Sequence, residues 1–149
     1  MTRRERTDHR YYIEAVGNAL KAQGIATGGV TGGMSREYKR RTAAIGFGGE
    51  VIWDYDDSHT TLSLYLEWDE ERGWMMHDIH EPGAARGMAH GQYNLDLGLV
   101  PEPEKVVLHV QHMLRTGSPG RFDPVGRCHR SAAEHDPAFE AALAAYLLA

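Results

Sequence analysis

Residues 60–79 read Thr-Thr-Leu-Ser-Leu-Tyr-Leu-Glu-Trp-Asp-Glu-Glu-Arg-Gly-Trp-Met-Met-His-Asp-Ile. The first part alternates strictly. Leu62, Leu64, Leu66 and Trp68 fall on one side of an extended chain, and Thr61, Ser63, Tyr65 and Glu67 on the other. The acidic run 69–72, closed by Gly73, reads as a turn, and residues 74–79 as the returning strand. A hairpin with one apolar and one polar face belongs to an antiparallel sheet covered by helices on one side. The acidic turn is expected to face water, setting register and solubility. Trp53, Trp68 and Trp74 are expected in the core or packed on the sheet, with Trp68 and Trp74 neighbours across the turn.

Outward from the hairpin, residues 42–47 and 51–55 flank Gly48-Gly49, a pair able to take positive φ twice. With Asp56-Asp57-Ser58 as the next turn, the spacing predicts a meander of about four strands in the order 1-2-3-4. Residues 26–41 contain Thr-Gly-Gly-Val-Thr-Gly-Gly and are expected to be a long, flexible connection. They lack the Gly-Lys-Ser/Thr ending of a phosphate-binding loop and follow a helix instead of a strand. Residues 80–98, with Pro82, Gly83, Gly87 and Gly91, are likewise expected to be irregular.

Three helices complete the reading. Asp8 is placed to cap the first, whose apolar face is Tyr12, Val16, Ala19 and Leu20, and Gly24 to end it. The second opens at Pro101-Glu102-Pro103-Glu104, carries Val106, Val107, Val110 and Leu114, and stops at Gly117. The third follows Asp136-Pro137 and carries Phe139, Leu143, Tyr146 and Leu147. The fold class is therefore α+β: an N-terminal helix, an antiparallel meander of about four strands, and two C-terminal helices packed on one face. Residues 1–7 are expected to be a flexible tail, 8–116 a single domain, and 117–149 a linker with an accessory helix.

A chain of 149 residues suits one domain. No apolar run reaches the ~20 residues that cross a bilayer, and no apolar segment follows the charged N-terminus. The single cysteine, Cys128, has no partner for an internal disulfide, so a cytoplasmic location is expected. The net charge of −5 is unevenly spread. Residues 1–41 hold nine Arg/Lys against four Asp/Glu, and the remainder seven against seventeen. Either the basic part touches a polyanion or the two parts attract each other or are solvated; the latter is the default.

Five constellations bear on chemistry or binding. His77, His80 and His90 cluster in sequence with Asp78 and Glu81, but zinc needs three or four converging ligands. In a continuing strand His77 and His80 point to opposite faces, so the set works only if His80 belongs to a turn. The basic residues Arg36, Lys39, Arg40 and Arg41, with Tyr38, can contact nucleic-acid phosphates or simply lie in solvent. The polar hairpin face, Thr61, Ser63, Tyr65 and Glu67, is free to meet a partner. His109 and His112 share one helix face without a His-Glu-x-x-His signature. Cys128 has His129 and His135 nearby in sequence, but no Cys-x-x-Cys pair.

Tyr11-Tyr12-Ile13-Glu14-Ala15-Val16, then Leu66-Glu67-Trp68-Asp69-Glu70-Glu71-Arg72-Gly73-Trp74, then Gly98-Leu99-Val100-Pro101-Glu102-Pro103-Glu104-Lys105-Val106 occur in that order. They resemble the small actinobacterial proteins grouped as the DUF6292 family, over roughly residues 8–116. The family is uncharacterised, so the resemblance carries over no catalytic residue; it implies that the extension beyond Gly117 is accessory. The expected function is a non-enzymatic binding or regulatory module without a cofactor, acting on another protein or a second copy of the chain and not on a membrane. A metal-dependent hydrolase built on the histidines and a nucleic-acid accessory protein built on residues 36–41 are the alternatives.

Overall fold

The structure, a computed structural model, describes residues 6–34, 39–48, 59–82, 89–117 and 121–147; for residues 59–62, 80–82 and 89 it describes the backbone only. Among these residues the chain forms three helices and one six-stranded antiparallel sheet. The strands are β1 (Thr27–Met34), β2 (Arg41–Phe47), β3 (His59–Asp69), β4 (Gly73–Pro82), β5 (Ala89–Asn94) and β6 (Arg121–Phe122), neighbours in chain order. The α+β class is as the sequence predicts, but there are six strands where about four were expected.

Three of the six, β1, β5 and β6, fall in segments expected to be loops or linker; β6 pairs with β5 through Tyr93 and Phe122. Residues 27–34 pair along their length with β2, from Thr27 opposite Phe47 to Met34 opposite Arg41, despite four glycines. Glycine weakens a strand but does not forbid one, and here the ladder to β2 supplies the order. Strand β5 pairs with β4 from Met75 opposite Asn94 to His80 opposite Ala89. The expected strand 51–55, with Trp53, lies outside the described residues.

The central hairpin follows its pattern. Trp68 pairs with Trp74 across the turn, and Leu64, Leu66, Trp68, Trp74 and Met76 are buried on one face. Gly73 sits at φ 79°, and a Cβ there would collide with the Gly98 carbonyl, so the turn needs glycine. Both indoles make hydrogen bonds inside the core. Trp68 Nε1 donates to the Leu99 carbonyl at 2.7 Å, and Trp74 Nε1 to the Tyr12 hydroxyl at 3.0 Å. That hydroxyl in turn donates to the Pro101 carbonyl at 2.6 Å. These three buried polar groups are thus paired as an apolar core requires.

Helix α1 (Arg10–Ala22) buries Tyr12, Ile13, Val16, Gly17 and Leu20. It starts one residue later than expected: His9 holds the N-cap position, while the Asp8 carboxylate accepts the Arg10 N–H at 3.0 Å. A Cβ on Gly17 would come within 3.0 Å of Val30 Cγ2, so this glycine lets the helix lie close on β1. Helix α2 (Pro103–Thr116) buries Val106, Val107, Val110 and Met113, packs beside α1, and ends at Gly117 in the left-handed conformation. Helix α3 (Pro137–Ala144) is capped by Asp136, whose carboxylate accepts the Phe139 N–H. Phe139 and Leu143 join the main core, and the Phe139 ring stacks on Trp68 at 6.4 Å. The helix arrangement thus differs from the expected C-terminal pair: α1 lies nearest to β1 and β2, with α2 against it. No helix among the described residues is long and apolar enough to cross a membrane.

Candidate functional site

Strand alternation and register decide what lies on the face of the sheet turned away from the core. From β1 to β5 its residues are Gly29, Thr31 and Gly33; Thr42, Ala44 and Gly46; Ser63, Tyr65 and Glu67; Met75, His77 and Ile79; and His90, Gln92 and Asn94. Two cross-strand rows matter most. Thr31, Ala44, Glu67, Met75 and Asn94 form one, and Gly29, Gly46, Tyr65, His77 and Gln92 the other. The β1–β2 half is therefore a floor of small residues, and large side chains stand beyond it on β3, β4 and β5.

Those side chains form a cluster. Tyr65 stacks on His77 with ring centroids 4.7 Å apart and planes 5° from parallel. His77 Nδ1 and His90 Nε2 are 2.7 Å apart, a hydrogen bond in which one imidazole donates and the other accepts. His90 lies diagonally from His77, because His77 is opposite Gln92 and His90 opposite Ile79. His77 is buried, and its Nε2 has no hydrogen-bond partner among the described residues. That nitrogen points toward Glu67 Oε1 at 3.5 Å, an ion-pair distance too long for a well-formed hydrogen bond. The Glu67 carboxyl is held below its ordinary range chiefly by His77, against desolvation that pushes it up.

Beside the cluster lies an open groove of about 310 Å³, lined by Thr31, Gly32, Gly33 and Met34 of β1, Thr42, Ala43 and Ala44 of β2, and Glu67. Glu67 is the one charged residue in this lining, and its side chain is 40% exposed. Thus one carboxylate borders both the groove and the histidine pair.

Of the three histidines considered for metal, the fold joins His77 and His90. Strand β4 continues to Pro82, so the turn that would aim His80 the same way is missing, and the His80 side chain lies outside the described residues. A tetrahedral ion holding two imidazoles at ~2.0–2.1 Å sets their nitrogens about 3.3 Å apart, so the 2.7 Å contact must open before a metal enters. Among the described residues no group of three or more His, Cys, Asp or Glu is placed to hold a metal ion. His109 is half-buried, whereas His112, Cys128, His129 and His135 are exposed.

The basic segment goes elsewhere. Arg36 lies outside the described residues, and Lys39 is exposed. Arg40 reaches Glu71 at 3.3 Å. Arg41 is only 2% exposed: its guanidinium binds Glu70 at 3.0 Å, Glu140 at 2.6 Å and the Thr7 carbonyl at 2.8 Å. Glu70 is fully buried and also takes Arg130 at 2.7 Å, with Arg6 at 3.8 Å. Desolvation pushes the Glu70 carboxyl up, yet hydrogen bonds from Arg41 and Arg130 hold it below its ordinary range. Arg41 and Arg130 also lie over the Phe139 ring, at 5.2 and 4.2 Å from its centroid. This corrects the solvated acidic turn: Asp69 and Glu70 are buried, and Asp69 caps the turn through the Glu71 and Arg72 N–H groups. The charge imbalance between residues 1–41 and the rest is, here, mutual attraction.

On the expected partner face, Ser63 is exposed, and Tyr65 and Glu67 are half-buried in the cluster; the Thr61 side chain lies outside the described residues. Sequence reasoning missed the groove, because glycine and alanine leave no pattern of their own. It also missed Glu67 as the link between groove and histidines, which depends on β2–β3 register.

Comparison with curated proteins and with solved structures returned no match. A family model matches residues 12–112, spanning α1, the sheet from β1 to β5 and most of α2, so the chain belongs to DUF6292, a family of unknown function.

Proposed function

We propose that this chain is a non-enzymatic binding module that receives its partner on the second face of the sheet. One observation carries the reading: a bare floor of Thr31, Ala44, Gly29, Gly33 and Gly46 lies beside a wall of Tyr65, Glu67, His77 and His90. A Cβ placed on Gly29, Gly33 or Gly46 would meet nothing of the described residues within 4 Å, so among them this floor is open. A groove near 300 Å³ is at the lower end of what binds a ligand, and its mixed apolar and polar lining suits a side chain better than a whole cofactor. The metal and nucleic-acid readings have less support, given the direct His77–His90 contact and the ion pairing of Arg41.

The test is capture of partners from a lysate of the source cells with wild type, Ala44→Arg and Leu108→Arg. Ala44→Arg fills the groove, whereas Leu108 is exposed on the outer side of α2. A protein retained by wild type and Leu108→Arg and lost by Ala44→Arg is the expected outcome. Equal retention by all three defeats the reading.

A further inference from the structure

We propose that the occupant of this face is an extended basic peptide, with one lysine or arginine laid across β1 and β2 so that its cationic head meets Glu67. The inference rests on the reading of the second face as the binding surface and adds the chemistry of what binds there.

Charge comes first. Asp69, Glu70 and Glu71 of the adjoining turn are each held by arginine. Glu67 has no arginine or lysine at ion-pair distance among the described residues; His77 lies at 3.5 Å, and Arg72 and Arg40 act on it only from farther away. A half-buried carboxylate so placed has unused acceptor capacity directed into the groove. The buried His77 Nε2, without a hydrogen-bond partner among the described residues, is the complementary sign. A cation that draws Glu67 into place lets the carboxylate serve both groups, since each oxygen accepts more than one bond.

Reach comes second. Thr31, Ala44 and Glu67 form one row perpendicular to the strands. A strand added outside β1 stands three spacings of ~4.8 Å, about 14 Å, from the β3 backbone. An extended arginine spans about 7 Å and a glutamate about 4 Å from bonds of ~1.5 Å. About 3 Å remains, a hydrogen-bond distance. Only small side chains lie beneath that path, and Ala44 and the Thr31 methyl offer apolar surface to the aliphatic stem.

The edge comes third. Among the described residues β1 ends the sheet, and seven of its eight residues are exposed. It carries none of the charges or prolines that natural edges use against strand addition. An extended peptide can therefore gain main-chain hydrogen bonds along β1 while alternate side chains fall on the second face.

The test uses fluorescence anisotropy with the full chain and two fluorescein-labelled nonapeptides of alternating threonine and valine. One has a central arginine and the other a glutamine in its place. The arginine peptide is expected to bind at least tenfold more tightly. Glu67→Gln should erase the difference, Glu67→Lys should transfer the preference to a glutamate peptide, and Ala44→Arg should abolish binding of all of them. Circular dichroism melting confirms that each variant is folded. Equal binding of the arginine and glutamine peptides overturns the cation assignment, and if Ala44→Arg still blocks both, the second-face reading survives. Binding indifferent to Ala44→Arg overturns both readings. No binding at millimolar peptide, with a wild-type dimer that Ala44→Arg dissociates in sedimentation, replaces the peptide with a second copy of the chain and overturns the proposal.

Discussion

Arg41→Ala is the substitution whose cost separates the sequence view of the acidic turn from the structural one. A solvated ion pair is worth at most about 1 kcal/mol, so the sequence view predicts a small effect. In the structure the Arg41 and Glu70 side chains are 3% and 0% exposed, so solvent screening is slight. The guanidinium joins β2, the hairpin turn, α3 and the segment before α1, through Glu70, Glu140 and Thr7. Its removal leaves Glu70 on Arg130 and the residue-41 backbone N–H, and Glu140 on the Thr7 N–H, each with lost guanidinium donors in a desolvated site. Breaking a buried pair of this kind costs about 3–5 kcal/mol. For a chain near 150 residues that is a drop in Tm of roughly 6–20 °C. Urea unfolding with linear extrapolation measures the free energy, and a cycle with Glu70→Gln measures the coupling. A loss below about 1 kcal/mol, or additive single and double variants, would refute the buried network and restore the solvated turn.

Three further outcomes test the fold. The Glu140 carboxyl is depressed to about 2: desolvation works against this, and hydrogen bonds from Arg41 and the Thr7 N–H outweigh it. Because its folded value lies below the ordinary 4.5, its contribution is complete above that pH and fades as pH falls from 4.5 toward 2. Acid titration of stability should therefore be shallower in Glu140→Gln across that window. Gly73→Ala should cost at least ~2 kcal/mol in denaturant melts, since a left-handed residue alone costs roughly 1–2 kcal/mol and its Cβ also meets the Gly98 carbonyl. Phe139→Ala should cost about 3–5 kcal/mol, because it empties the space between Trp68, Arg41 and Arg130; a loss near zero would mean that α3 does not depend on the body for its place.

What could be read in the chain alone was what neighbouring residues decide together. The alternation of Leu64, Leu66 and Trp68, the Gly73 turn, the apolar stripe of α2 and the glycine after it are local periodicities, and the structure follows them. Strand β1 was not legible, because glycine has no side chain to alternate; only pairing with β2 makes it a strand. The burial of Glu70 was not legible either, since its arginines come from 29 and 60 residues away. The candidate site is of the same kind. His77 and His90 were visible as histidines, but their contact arises from β4–β5 register. The meeting of Glu67 with the glycine floor likewise depends on the register of β1, β2 and β3, set by long-range hydrogen bonding that no window of sequence contains.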